Sequence, residues 1–324
     1  MAELTYRPAT LDDAALAADL MTASYPSLPV DPVMTRFRWD HPRRGYFFGR
    51  FIAERAGRPI AFLAWTHGPW EMLPNRHCEV EVFLDRAVID HGRLLNLWSW
   101  ICDLAVAEGA GLLLGYANED EQEMVEALAA VGFKRDRVGK ISLLDLVKHG
   151  ERITETAADA RARLAAGGFE LVTLAAWKRP DKFEKLYDLD ARTRQDIPHT
   201  LPILVETLAD FEARTTAPDR PADRTWIVLD KDIPVAMTYL KFPPVRGTVW
   251  TGYTCTSADH RGKGLAKAVK LQSLAQAVEL GVPMVMTDND EENSPMLHIN
   301  KALGYEPRPG FVAYLKRVES PRDA

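Results

Sequence analysis

The segment Arg261-Gly262-Lys263-Gly264-Leu265-Ala266 constrains this chain more than any other. Thr248 to Thr256, just before it, is dominated by β-branched and aromatic residues and reads as a strand. Just after it, Leu265, Ala268, Val269, Ala275 and Val278 recur at helical spacing as far as Gly281, which predicts an amphipathic helix closed by a glycine. A strand that passes through glycines directly into a helix belongs to an α/β architecture. The first helical turn there has free N–H groups at the positive end of the helix dipole, and glycines let a ligand approach the backbone. Such a turn suits a pyrophosphate.

Spacing restricts which phosphate ligand fits. An ATP-type loop requires GxxxxGK followed by Ser or Thr, and no such run occurs. The dinucleotide fingerprint GxGxxG requires a third glycine where Lys267 stands. The pattern Arg/Gln-x-x-Gly-x-Gly/Ala is met by Arg261, Gly264 and Ala266. Further on, Val285 to Asp288 predicts a short strand, followed by a helix that starts near Asn293-Ser294-Pro295 and closes at Gly304-Tyr305. Proline is acceptable in a first helical turn, and acidic residues before it favour the dipole.

In these two segments, taken in this order, the chain resembles the GNAT family of acetyl-coenzyme A dependent N-acetyltransferases. The resemblance implies a mixed sheet whose two central strands splay apart, with the pantetheine arm bonded to strand backbone in the gap. Thr254, Cys255 and Thr256 would supply those backbone groups, and Arg261, Gly262, Lys263, Gly264, Leu265 and Ala266 the pyrophosphate cradle. Asn293 and Asn300 would face the same ligand.

The first half looks like an earlier copy. An offset of 172 residues carries Met124-to-Gly132-Phe133 onto Met296-to-Gly304-Tyr305. Where the second copy has its glycine turn, the first reads Asp85 to Arg93 without paired glycines, and Glu121 replaces the Asn293 equivalent. Bulky Val88 or Ile89 and nearby carboxylates oppose a pyrophosphate. The expected fold class is therefore α/β (an α+β mixed sheet): two tandem GNAT acyl-CoA N-acyltransferase folds, the first degenerate, similar in plan to mycothiol synthase. The expected domains are a degenerate one over 1–150, a linker helix over 151–168 and the acetyl-CoA domain over 169–324.

The chemistry implied is attack of an amine on the thioester carbonyl with departure of the thiolate, which requires a base for the amine and a proton for the sulfur. Family members often carry a tyrosine where this chain has Asn300, and a glutamate on the strand that here carries Thr251, Tyr253 and Thr254. Tyr314, Tyr253 and Asn300 are the catalytic candidates; Asp196 and His199 are candidates for the acceptor side.

Composition bounds the rest. With 324 residues and 47% hydrophobic content the chain can fill two cores. Three scattered cysteines suggest neither disulfides nor a metal site, and no apolar run is long enough for a membrane span. The expected setting is cytoplasmic. A net charge of −6 disfavours nucleic acid as partner. The expected activity is N-acetyl transfer from acetyl-CoA to a primary amine of a small molecule, in a monomer or homodimer. A non-catalytic acyl-CoA binding or regulatory protein, or a protein or peptide N-acetyltransferase, are the alternatives.

Overall fold

The computed structural model describes residues 3–198, 201 and 204–318. Two compact units divide it: residues 1–139, 245–247 and 309–324 form the first, and residues 140–244 and 248–308 the second.

The first unit runs β1 (Leu4–Pro8), α1 (Ala14–Ser24), α2 (Pro32–Asp40), β2 (Phe47–Arg55), β3 (Arg58–His67), β4 (His77–Leu84), α3 (His91–Ala107), β5 (Leu112–Asn118) and α4 (Gln122–Ala130). Two long strands, β6 (Lys134–Asp145) and β12 (Glu306–Arg317), pass from one unit to the other. The second unit contains α5 (Leu146–Ala166), β7 (Glu170–Thr173), α6 (Lys182–Arg194), α7 (Leu208–Thr215), β8 (Thr225–Asp230), β9 (Ile233–Lys241), β10 (Val249–Thr256), α8 (Leu265–Glu279), β11 (Met284–Asp290) and α9 (Ser294–Leu303). Apart from α5, the order β-α-α-β-β-β-α-β-α-β occurs twice.

Strand order in the first unit is β1-β2-β3-β4-β5-β12, and in the second β6-β11-β10-β9-β8-β7. The strand that closes each sheet thus comes from the other half of the sequence. β12 pairs antiparallel with β5 from Phe311↔Asn118 to Arg317↔Leu112, and its Val312 and Tyr314 are buried in the first unit's core. That pairing departs from a boundary at residue 150. The helix expected as a linker over 151–168 is part of α5, whose Ile153, Ala157, Ala160 and Leu164 pack into the second unit's core.

In both sheets one parallel pair is short. β4 and β5 pair from His77↔Leu112 to Glu79↔Leu114, and β10 and β11 only at Val249↔Val285 and Trp250↔Met286. Beyond those residues the strands part. β4 alternates strictly, with Cys78, Val80, Val82 and Leu84 buried against α3 residues such as Leu97 and Ile101, while His77, Glu79, Glu81 and Phe83 take the other face. Cutting Leu97 or Ile101 to alanine in so dense a cluster would cost about 2–5 kcal/mol.

The repeat ends alike in both halves. Gly132 and Gly304 have φ of 94° and 99°, left-handed values that suit glycine, and the aromatic that follows each, Phe133 and Tyr305, is buried. Helix α8 differs from expectation: ten of its fifteen residues are buried, so it is an enclosed helix rather than an amphipathic one. No helix among the described residues is long and apolar enough to cross a membrane.

Candidate functional site

The second unit's site is built where β10 leaves β11. Ser257 donates its backbone N–H to Val235 O at 2.8 Å, and the register pairs Cys255 with Met237 and Thr254 with Thr238. In an antiparallel ladder the hydrogen-bonded pairs alternate, so Tyr253, Cys255 and Ser257 bond to β9. The backbone N–H and C=O of Thr254 and Thr256 therefore face the side where β11 has diverged. Cys255 does not share that role: its backbone belongs to the β9 ladder, and its thiol lies in the α6–α7 core, pushed up to about 12 by burial. A bulge at Gly252 adds to the local bend, and a Cβ there would strike the Tyr239 ring.

Beyond β10, Gly262 and Gly264 both have φ of 76°, and added Cβ atoms would meet nothing within 4 Å. The loop is thus a left-handed turn opening onto free space. Gly264 is the N-cap of α8 and offers no side-chain cap; the first capping-type bond inside the helix runs from Ala268 N–H to Gly264 O. The amides of Leu265, Ala266 and Lys267 are left with the dipole's positive end and no side-chain acceptor. The matching helix of the first unit is closed: Asp90 caps α3 by accepting from Arg93 N–H at 3.1 Å, and Asp85 accepts from Ala87 N–H at 2.9 Å. Carboxylates fill the place an anion would take.

The loop is held by a chain of polar contacts that spacing did not reveal. Ser257 Oγ lies 2.9 Å from His260 Nδ1, and His260 Nε2 lies 3.1 Å from Asp230 Oδ2, which ties the ends of β8 and β10 together. Arg261 ion-pairs with Asp196 and donates to Thr256 O at 3.4 Å. Lys263 Nζ lies 5.9 Å from the Phe169 ring, and the Leu265 side chain is buried, so that residue presents only its amide.

Three buried polar atoms on elements bordering the gap have no hydrogen-bond partner: Thr256 Oγ1, Lys270 Nζ and Asn300 Oδ1. Asn300 donates from Nδ2 to Asn289 Oδ1 at 2.6 Å. Lys270 is fully buried on α8, 5.0 Å from the Tyr305 ring, and desolvation brings its ammonium down to about 7 against the opposing pull of Asp288. Asn293 caps α9, accepting from Met296 N–H at 3.4 Å.

The catalytic candidates separate. Tyr314 is not on the second unit at all: it lies in the first unit's core, 5% exposed, because the last strand pairs with β5. Asn300 has no acidic proton to give. Tyr253 sits beneath α6, donating from its hydroxyl to Thr193 Oγ1 at 3.0 Å with Arg194 over its ring at 4.5 Å. Burial holds its phenol well above the usual tyrosine range, hence protonated. His199 falls outside the described residues. Among the described residues no group of three or more His, Cys, Asp or Glu side chains is arranged to hold a metal.

Two mixed sheets, each with a splayed parallel pair, and one glycine turn at an open helix terminus define a tandem α/β fold. Residues 183–305 match the model of the acetyltransferase (GNAT) family. Over nearly the whole chain the fold is that of a tandem GNAT protein from the clavulanic acid biosynthesis pathway, at 19% identity, covering 98% of this chain and 99% of that one with a TM-score of 0.76. A GCN5-related N-acetyltransferase from Sphaerobacter thermophilus aligns over 98% of this chain and 96% of its own, at 13% identity and a TM-score of 0.66. The glucosamine N-acetyltransferase region of a fungal multi-domain β-N-acetylglucosaminidase aligns with 97% of this chain and 38% of that one, at 13% identity and a TM-score of 0.66. No curated protein matches.

Proposed function

We propose that the protein transfers an acetyl group from acetyl-coenzyme A to a primary amine of a small molecule, in the second unit. The observation that carries this reading is the pair of left-handed glycines at the uncapped start of α8, beside the backbone of Thr254 and Thr256. Amides of residues 265–267 suit a pyrophosphate, and an unpaired strand edge suits the amides of a pantetheine arm. Orphaned Thr256 Oγ1 and Asn300 Oδ1 fit a ligand that brings its own donors.

In the reaction the amine nitrogen bonds to the thioester carbonyl carbon, the carbon–sulfur bond breaks, and the sulfur takes its electrons. The amine loses a proton and the thiolate gains one. Tyr253 is the titratable candidate that stays beside β10, and its phenol is the candidate donor of that proton. Asp196, exposed near the loop, suits recognition of a cationic acceptor once Arg261 turns to phosphate.

A second reading is a non-catalytic acyl-coenzyme A binding module. One observation favours it: Asn300 takes the place at which a tyrosine acid is common, and its amide nitrogen is already bonded to Asn289.

Calorimetric titration of acetyl-coenzyme A into wild type and Gly264→Trp tests the site, followed by thiol release with a panel of amines. Binding that disappears in a folded Gly264→Trp, together with steady thiol release, supports the acetyltransferase reading. Binding without release of thiol for any amine supports the second. Failure of the wild type to bind overturns both.

A further inference from the structure

Beneath the point where β10 and β11 part lies a buried lysine, Lys270 of α8. The last pair of the two strands is Trp250↔Met286, so Thr251 is the first residue of β10 beyond it. Thr251 Oγ1 lies 3.4 Å from the Tyr305 hydroxyl, and the Tyr305 ring lies 5.0 Å from Lys270 Nζ. On the β11 side, Asp288 follows Met286 by two residues and draws on the ammonium only through space. Lys270 thus reaches the apex of the gap from below, with β10 on one side and β11 on the other.

Nothing there satisfies its nitrogen. Lys270 is 0% exposed, and Nζ has no hydrogen-bond partner. A buried donor left unbonded is costly, the more so when charged. A methionine would fill the same space without that cost. Such groups cluster where a fold does chemistry.

The dimensions of the donor bring its acyl group to the same point. With its phosphates on the amides of residues 265–267, the pantetheine arm runs back along the open edge of β10, past Thr256 and Thr254. From Thr256 to Thr251 is roughly 16 Å of strand. The extended arm, about twelve bonds from phosphate to sulfur, spans nearly as much. Because β10 and β11 are parallel, α8 returns beside β10, and Lys270 lies about 8 Å along it toward the apex.

We infer that Lys270 Nζ donates to the carbonyl oxygen of the acyl thioester and stabilises the negative charge which that oxygen gains when the amine attacks. The inference rests on the acetyl-coenzyme A reading of the second unit. In the attack the nitrogen bonds to the carbonyl carbon and the C=O electron pair moves onto oxygen, facing Lys270; when the pair returns, the carbon–sulfur bond breaks and the sulfur leaves with its electrons. Lys270 keeps its own protons throughout. A carbonyl offers an acceptor and no donor, which complements a nitrogen that has donors and no partner. Asn300 Oδ1, also unpartnered, has the opposite need and suits an amide N–H of the arm. Burial brings the ammonium down to about 7, so Nζ is charged below that pH and neutral above it. Asp288 and the Tyr305 phenol, which burial keeps protonated, are the titratable groups that bear on it.

Calorimetry with acetyl-coenzyme A and with S-ethyl-coenzyme A, the thioether that lacks the carbonyl, tests this at pH 6 and pH 9. Wild type is expected to favour the thioester about tenfold at pH 6, where Nζ is charged, and less at pH 9. Lys270→Met should bind the two ligands alike at either pH, and release thiol with kcat about 10²-fold lower for any amine that wild type accepts. If Lys270→Met does not fold, the pH dependence of the wild-type preference decides alone. Equal affinity of wild type for the two ligands, a preference that does not change with pH, or one that Lys270→Met retains overturns the inference and leaves the coenzyme site standing. Failure of wild type to bind either ligand removes the acetyl-coenzyme A reading itself, and this inference with it.

Discussion

Arg261 and Asp196 form an ion pair in which both side chains are about half exposed, 50% and 52%. A residue expected at the pyrophosphate is thereby joined to one expected at the acceptor. Exposed pairs contribute only about 0–1 kcal/mol, so the link is easily exchanged for a phosphate. Asp196→Ala should leave the melting temperature nearly unchanged and tighten acetyl-coenzyme A binding about two- to fivefold at low salt, an advantage that fades as salt screens it. Titration at two ionic strengths checks this; weaker binding by Asp196→Ala would place the aspartate on the ligand instead.

Tyr253→Phe removes the phenol beside β10 that donates to Thr193. The expected outcome is a fall in kcat of about 10²-fold with KM for acetyl-coenzyme A little changed, the range for loss of a positioned acid. Initial rates over pH 6–10 decide. An unchanged kcat and pH profile would leave Tyr253 as packing under α6.

Lys270 makes stability depend on pH in a direction opposite to that of a paired lysine. Its folded value is about 7, against an ordinary ~10.4 for an unfolded lysine. Between about pH 7 and 10 the unfolded chain holds the extra proton, so stability rises with pH across that window by about 1.4 kcal/mol per unit from this group. Lys270→Met abolishes the penalty. It should exceed wild type by about 2–4 kcal/mol at pH 7, a gap that shrinks toward pH 10. Urea unfolding at pH 7 and 9.5 measures it, and a gap independent of pH would refute the buried ammonium.

A chain ended at Arg308 should damage the first unit and spare the second. Val312 and Tyr314 lose burial worth about 1.5–3 kcal/mol each, and β5 loses its partner from Leu112 to Asn118. Hydrogen exchange should show β5 amides unprotected while β8 and β9 stay protected. Equal protection of β5 in the shortened chain would contradict the pairing.

The second half's site elements were legible because their signals are local. The glycine turn, the strand before it and the Gly304-Tyr305 closure are each fixed within a few residues, and the structure has them at 249–256, 265–279 and 294–303. What the sequence hid is non-local. Tyr314 reads as part of a last strand, but which sheet that strand joins depends on β5, some two hundred residues earlier. Cys255 and Thr254 look alike in a strand, and only the register with Met237 and Thr238 sends one backbone to β9 and the other to the gap. Helix α8 reads as amphipathic because Lys270, Gln272 and Ser273 are polar, yet all three are buried; Gln272 donates to Ala157 O of α5 at 2.6 Å, and Lys270 lies 5.0 Å from the Tyr305 ring. In the run Glu79-Val80-Glu81-Val82-Phe83 charges alternate with apolar residues, which fixes the two faces of the strand but not how far the charged one is covered; Glu79 and Glu81 are half-buried.

The ribosome delivers this chain in an order that its sheets do not follow. Asn118 is made early, whereas its partner segment beginning at Pro309 is made roughly 190 residues later. At about 5–20 residues per second, the β5 edge waits on the order of 10–40 s with its row of backbone donors and acceptors open. Such an edge invites pairing with other nascent chains. Crowded polysomes and a missing C-terminus thus threaten the same edge, and a chaperone that shelters it during synthesis would raise the yield of folded protein.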